Sequence, residues 1–389
     1  MLPFTLPTPL SLYIHIPFCT TCCSYCAFYS EPKALWIDYK KAYVDRLEKE
    51  ILTAANEYGK PFSTIFFGGG NPGCLDGEQL SRLLQAAQIH GKSKEVTIEM
   101  NPETFNPSFF PLFEQGLITR LSMGIQSMDD SVLKTLGRNA RRDDNIRGIA
   151  YANQMHDLYG TDLSFDLMAC LPGQTLEMAI SDINELVSLS ALEHISLYCL
   201  TVEEGTELSQ KVSAGLLHVM NDDEQEIFLF EIWKHLEKLG FRHYEISNFC
   251  KKGHRCEHNL HYWSLDNYLG LGSSAASTLF SQKMHVHVSQ DQSLQEFSQG
   301  ESFTQYVAEQ VDTLQQLEEF LMMALRTDEG IDKSYFLARF NRNFDQLFSK
   351  TIDSFEKCWY ENDSQIFVLT EVGFMVLDEI VVRFALAIS

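Results

Sequence analysis

Residues Leu12 to Ser30 read LYIHIPFCTTCCSYCAFYS, and the rest of the chain is organised around them. Leu12, Tyr13, Ile14 and Ile16 form an apolar, β-branched run that predicts a strand. Pro17 ends it, and four cysteines follow, at 19, 22, 23 and 26. Parsed as two abutting Cys-x2-Cys pairs, the loop offers four thiolates, the number that a closed zinc tetrahedron takes. Zinc pairs normally come from separate turns with a spacer, however, and here Cys22 and Cys23 are adjacent with diverging side chains. Parsed as Cys19-x3-Cys23-x2-Cys26, the loop offers three thiolates, which suits a [4Fe–4S] cluster with one iron left open. A disulfide framework is the third reading and requires an oxidising compartment.

Composition narrows the compartment. At 389 residues the chain has the length for one large domain and a smaller one, and 45% hydrophobic residues supply a sizeable core. The formal net charge of −23 argues against a nucleic-acid footprint, which needs clustered Lys and Arg. It argues equally against adhesion to an anionic membrane surface. The opening MLPFTLPTPL lacks the basic stretch of a signal peptide, and no apolar run reaches transmembrane length. The expected location is the cytoplasm, without stable membrane insertion. Ten cysteines in that reducing compartment fit a metal site plus scattered small hydrophobes.

Beyond the cysteines, strands and helices alternate. Ala34 to Gly59 predicts a long helix with Trp36, Tyr39, Tyr43, Leu47, Ile51 and Ala54 on one face. Its charged residues, Lys40, Lys41, Asp45, Arg46, Glu48, Lys49 and Glu50, are expected to face solvent. Further strands are expected at Ser63–Phe67, Val96–Ile98, Leu121–Ile125, Leu163–Cys170 and Ile195–Leu200. Helices are expected at Asp76–Gly91, with Asp76 as cap, and at Ser131–Leu136, Asp144–His156 and Leu176–Ser190. Six alternations imply a parallel sheet with helices outside, curled by right-handed crossovers into an open barrel. Polar residues collect where such barrels place their chemistry, on the loops after the strands: Gly68–Gly70, Glu99, Gln126 and Asp166.

These motifs resemble a known family. Cys-x3-Cys-x2-Cys after a first strand is similar to the radical S-adenosylmethionine (SAM) superfamily. YIHIPFC with Tyr25 resembles its branch of oxygen-independent coproporphyrinogen III oxidase and the heme chaperone HemW. The resemblance implies an open (βα)6 partial TIM barrel with a [4Fe–4S] cluster on Cys19, Cys23 and Cys26, its open iron chelating SAM. FFGGGNP resembles FFGGGTP and implies SAM contacts at Gly69, Gly70 and Asn71. IEMNP, LSMGIQS, LGR and FDLMACLPGQT imply contacts at Glu99, Gln126, Arg138 and Asp166. Tyr13, Tyr25, Cys199 and Ala276 complete the implied SAM set, Cys199 as a pocket wall in HISLYCLTVEEGT. Family histidines are replaced by Ala140 after LGR and by Ala276 after YLGLG.

HYEISNF, then HNLHYW (His258 to Trp263), resembles the HemW branch most closely. An imidazole or soft ligand beside aromatic residues is a candidate for heme iron, His258 first and Cys256 second; the plainer reading has His258 and Asn259 tying down a loop. Zinc on Cys250, His254, Cys256 and His258 is a weaker alternative. EEFLMMALRTDEGID resembles the family's small C-terminal winged-helix-like domain, here acidic and read as a lid rather than a DNA reader. The expected divisions are 1–210 barrel, 211–282 barrel-completing segment, 283–311 linker and 312–389 C-terminal domain. Two functions follow. One is a heme chaperone that passes heme to acceptor proteins and takes reducing equivalents from a cytosolic donor if SAM is reduced. The alternative is oxygen-independent coproporphyrinogen III oxidase, decarboxylating propionates in porphyrin biosynthesis. That branch has a fourth cysteine where this chain has Phe28, and a longer N-terminal extension; both points favour the chaperone over catalysis.

Overall fold

The computed structural model describes residues 6–281, 284–303 and 306–388. The expected strands form in register: β1 (Ser11–Ile16), β2 (Thr64–Gly69), β3 (Glu95–Met100), β4 (Arg120–Gln126), β5 (Asp162–Ala169) and β6 (His194–Cys199). Each pairs in parallel with the next. The helices between them run close to their expected bounds. The one at Gly77–Ala87 starts on an Asp76–Gln79 capping box, as the sequence signals.

The sheet is larger than six strands. Four further strands follow β6: β7 (Arg242–Glu245), β8 (Asn248–Cys250), β9 (Tyr268–Leu271) and β10 (Ala276–Ser281). Two more, β11 (Met284–Gln290) and β12 (Tyr306–Gln310), complete it. The order is β12-β11-β10-β9-β1-β2-β3-β4-β5-β6-β8-β7 in one twelve-stranded sheet. β9 adds in parallel beside β1, with Tyr13 opposite Gly270, so the barrel wall has a seventh parallel strand. Gly270 is required there, because a Cβ would lie 2.1 Å from the Ala276 carbonyl oxygen.

The described residues within 283–311 are therefore not a linker. β11 and β12 belong to the sheet, and the helix Leu294–Gln299 packs on the helix Lys40–Tyr58. Residues 282 and 283, where the expected boundary falls, lie outside the described residues. The packing also corrects the expected solvent face of Lys40–Tyr58. Arg46 and Glu50 are buried, joined at 3.0 Å. Arg46 donates to the carbonyl of Phe297 and to Gln292, and Glu50 accepts from the Phe303 N–H and the Tyr306 hydroxyl. The charged pair of the helix Lys40–Tyr58 has turned inward, and its bonds to Gln292, Phe297, Phe303 and Tyr306 bind the following segment to the barrel. The long helix also splits, at the turn between Trp36 and Lys40.

The C-terminal part stacks the helices Thr313–Ala324, Lys333–Phe340, Phe344–Ile352 and Leu377–Ile388 against a three-stranded sheet. Phe336, Phe344, Phe348, Phe367 and Phe384 fill its core. No helix among the described residues is long and apolar enough to cross a membrane.

The buried pair gives a stability prediction. Glu50→Ala leaves the Arg46 guanidinium buried without its carboxylate, which costs about 3–5 kcal/mol. Urea denaturation should show that loss, with faster amide exchange at Phe303. A change under about 1 kcal/mol would mean that the pair does not hold the segment.

Candidate functional site

The cysteine loop has little regular structure and is held by specific bonds. Phe18–Cys19 pairs with Glu31–Pro32, and the Trp36 indole donates to the Cys19 carbonyl at 2.8 Å, closing the neck of the loop. At its far end both the Ser24 N–H and hydroxyl donate to the Leu136 carbonyl, and the Ser24 carbonyl accepts from the Leu208 N–H. Arg138 is buried between loop and barrel. Its Nη2 donates to the Gly124 carbonyl at 2.6 Å and to Asn101 Oδ1 at 3.2 Å, while Nη1 lies 3.7 Å from Cys23 Sγ. Its Nε–H is buried without a hydrogen-bond partner among the described residues.

All ten cysteines are free thiols. Cys19, Cys23 and Cys26 are half-buried in the loop, whereas Cys22 is exposed, with Sγ 3.8 Å from the Ser30 carbonyl oxygen. Burial pushes the Cys19 thiol up to about 12, with the neighbouring thiols adding to it, and raises Cys26 as well. Such thiols stay protonated until a metal replaces the proton.

Behind the loop, the strands present a polar interior. Most of their residues are fully buried, yet Tyr13, Glu99, Gln126 and Asp166 are only half so and Tyr198 is exposed, which marks an open lumen. Asp166 accepts from the Ser122 hydroxyl at 3.1 Å. Burial pushes Glu99 up to about 8, with Asp166 adding to it and the Gly69 N–H opposing it. Burial likewise raises Asp166 to about 6, against the Ser196 and Ser122 hydroxyls. Two carboxyls within electrostatic reach of each other in one lumen are a place for a cation. Gln126 follows a register shift in β4 and has φ 64, a left-handed backbone that turns its side chain toward Gly124. Strain of this kind collects at functional sites. Gly69 has φ 107, and a Cβ there would strike the His15 ring at 2.5 Å.

Other expected residues divide. Tyr25 packs beside Val132, Leu136 and Met168 within electrostatic reach of Arg138 and Asp166. Cys199 neighbours Cys170 and lies 3.4 Å from Gln225 Oε1. The Gly70 N–H is bound to the Ile16 carbonyl. The Asn71 side chain is turned inward rather than toward the lumen. Its Oδ1 accepts from the N–H groups of Gly73 and Asn101, and its Nδ2 donates to Thr104. Ala140 is fully buried, a core methyl rather than a ligand position.

His258 needs a correction. It is fully buried, with Nδ1 2.7 Å from Thr64 Oγ1 and Nε2 2.8 Å from the Tyr262 hydroxyl. Thr64 begins β2, so the ring sits at the end of the barrel opposite the cysteine loop. Glu95, at the start of β3, accepts from the His258 and Glu257 N–H groups and the Cys256 thiol. HNLHYW thus forms a plug, and both ring nitrogens and the Cys256 sulfur are occupied, which closes both candidates to heme iron. Cys250 lies in β8, paired to His194, and is buried.

One residue escaped the sequence reading. His15 alternates with Tyr13 on β1, bonds its hydroxyl at 2.9 Å and reaches the Tyr29 carbonyl at 3.0 Å. Burial lowers it to about 4, so the ring is neutral. The i, i+2 spacing of Tyr13 and His15 was the available signal. Beside these residues a cavity of ≈ 660 Å³ opens against the loop, lined by Tyr13, Phe28, Tyr29, Tyr262, Tyr268 and Met323, with Ala276 on its wall.

Comparison with known proteins agrees with this geometry. The radical SAM superfamily model matches residues 13–186, and that of the HemN C-terminal domain matches 311–376. The heme chaperone HemW of Bacillus subtilis is 32% identical over 95% of this chain and 97% of its own length. The chain belongs to the HemW family. HemW of Escherichia coli is 33% identical over 69% of each chain. A mouse protein, radical S-adenosyl methionine domain-containing protein 1, mitochondrial, is 32% identical over 85% of this chain and 76% of its own. Coproporphyrinogen III oxidase (HemN) of Escherichia coli superposes with TM-score 0.78 at 19% identity, covering 97% of this chain and 90% of its own, a likeness of fold.

The superfamily implies a [4Fe–4S] cluster and SAM. The residues present fit the pair: three half-buried thiols lie in one short loop, Cys22 is exposed near Ser30, and a buried Arg138 guanidinium that contacts Cys23 keeps one N–H without a partner among the described residues.

Two predictions follow from the site. Anaerobically reconstituted protein should lose its cluster on Cys19→Ala, Cys23→Ala or Cys26→Ala and keep it in Cys22→Ala; equal loss in Cys22→Ala would overturn the three-ligand set. For pH, Glu99 binds its proton more tightly folded than unfolded. Its stabilising contribution is therefore full below the ordinary carboxylate range and lost as pH rises toward about 8. Cluster-free protein should lose stability across that window, and Glu99→Gln should lessen the loss; parallel curves would mean that Glu99 is not the group that binds the proton.

Proposed function

We propose that this chain is a heme chaperone: it holds a [4Fe–4S] cluster and SAM inside the barrel mouth, binds heme in the adjoining cavity and passes it to acceptor proteins. Cys19, Cys23 and Cys26 are the cluster ligands in this reading. When bound, the cluster supplies an open iron and an electron for SAM, drawn from a separate reductant. Glu99 and the Gly69 backbone receive the SAM ammonium, and Arg138 receives its carboxylate through charge-assisted bonds. Asp166 takes the ribose hydroxyls, Gln126 orients the group from its strained turn, and Tyr25 and Cys199 wall it in. Tyr13 and Ala276 stand where lumen and cavity meet. His15 is a positioning residue that holds Tyr13 and the loop at Tyr29. The functional divisions are the barrel unit 1–210, its completing segment 211–282, with 283–311 counted to the barrel, and the C-terminal unit 312–389.

The observation that carries the heme reading is the cavity. It is lined mainly by aromatic and apolar side chains, abuts the cysteine loop, and falls in the size range of cofactor pockets. Phe28 is 75% exposed at its edge, where a flat apolar ligand would cover it. The HemW relatives, named as heme chaperones, support the same reading.

The test is a side-by-side assay on reconstituted protein. We expect uptake of one heme per chain, weakened by roughly tenfold or more in Phe28→Asp through lost apolar burial, and no conversion of coproporphyrinogen. Formation of protoporphyrinogen would establish the decarboxylase instead. Heme uptake unchanged in Phe28→Asp would move the heme site out of this cavity.

A further inference from the structure

The wall of the cavity away from the cysteine loop carries a donor set that neither cluster nor SAM uses. His285 and His287 are two residues apart on β11, so both rings project from one face of the strand, 5.1 Å apart. Glu319, on the helix Thr313–Ala324, meets them both. One carboxylate oxygen is 2.8 Å from His287 Nε2, and the other is 3.5 Å from His285 Nε2. The donor atoms all lie within 4.8 Å of one another.

Two features separate this trio from an ordinary ion pair. His285 is 3% exposed, and among the described residues neither its ring nitrogens nor Glu319 Oε2 forms a well-directed hydrogen bond. Buried polar atoms left in that state call for a partner. His287 is also oriented from behind: Thr278 Oγ1 lies 3.0 Å from its Nδ1, which directs Nε2 at the carboxylate. That outer contact is how metal-binding histidines are held. Burial lowers His285 to about 4, with the His287 ring and Arg339 adding to it and the Gln316 side chain opposing it. The trio Asp162, Glu193 and His254 is different, because both carboxylates already converge at 3.0 Å on one nitrogen, His254 Nδ1.

We propose that His285, His287 and Glu319 bind one borderline divalent first-row cation, of the class of Zn(II) or Fe(II), which pins the helix Thr313–Ala324 to β11 at the cavity rim. Two imidazoles and a carboxylate suit such ions, whereas Mg(II) and Ca(II) take oxygen sets. Three protein ligands leave positions open, as in catalytic zinc sites, and His287 and Glu319 both line the cavity. Binding replaces the contact between His287 Nε2 and Glu319 with bonds from both to the metal. The site stands independently of the heme reading.

The test uses full-length protein with its cluster reconstituted, so that the three cysteines are occupied. After anaerobic equilibration with Co(II) or Zn(II) and removal of free metal, one equivalent beyond the cluster iron should remain. The Co(II) spectrum should lack a thiolate charge-transfer band. Thr278→Ala should weaken binding roughly 10–100-fold while leaving all three ligands in place. His287→Ala and Glu319→Gln should weaken it further, with cluster absorbance reporting that each variant folds. Should a ligand variant fail to fold, Thr278→Ala decides. No retained equivalent, a thiolate band, or retention unchanged in Thr278→Ala would overturn the proposal.

Discussion

The contact on which the site depends is the Arg138 guanidinium, buried where the cysteine loop meets the ends of the strands. It joins the Gly124 carbonyl of β4 and the Asn101 amide to the sulfur of Cys23. A buried cation is costly unless its donors are matched, and an arginine with an idle N–H is incompletely matched. The loop itself, short of regular structure, is otherwise anchored at Ser24 on Leu136 and Leu208, the Trp36 indole on Cys19, His15 on the Tyr29 carbonyl, and the closed neck. Arg138 is thus both a fastener and an unsatisfied charge. An anion at the lumen mouth would complete it, which is why the loop and the strand-end carboxyls act as one site.

The same economy of charge runs through the fold. Glu50 and Arg46 turn inward to hold the segment that follows β11. Glu95 caps the HNLHYW helix from below. Glu99 and Asp166 stay in the lumen, where burial raises their proton affinity; Asp166 adds to that of Glu99, while Arg120 and Arg138 only partly offset that of Asp166. Carboxylates that close the structure are held by direct hydrogen bonds or ion pairs; those that face the lumen accept from N–H and hydroxyl groups, with the arginines acting on Asp166 through charge alone.

What the sequence disclosed was local. The cysteine spacing, Glu99 and the Asp76 cap are each set within a few residues, and the structure places Glu99 near the end of β3 and Asp76 at a helix start; Asp166, expected on a loop, lies within β5 and faces the lumen from mid-strand. What it concealed was long-range. Arg46 and Glu50 look solvent-facing on a helical wheel because their partners lie some 250 residues away. The Ser- and Gln-rich 283–311 stretch resembles a linker in composition, yet its alternation pairs it to a sheet edge that only tertiary assembly creates. His258 carries a motif whose chemistry suggested iron, and only the fold reveals both nitrogens sealed by Thr64 and Tyr262. The inward turn of Asn71 was equally invisible, since Thr or Asn at that place can bond either way.

The central claim is that three sulfurs, held by this loop, leave one iron of a cluster open to SAM in the lumen. It is tested most directly by electron paramagnetic resonance of the reduced, reconstituted protein before and after addition of SAM. The account predicts a [4Fe–4S]+ signal whose g-values shift when SAM is added. A signal indifferent to SAM, or protein that holds zinc and no inorganic sulfide, would contradict it.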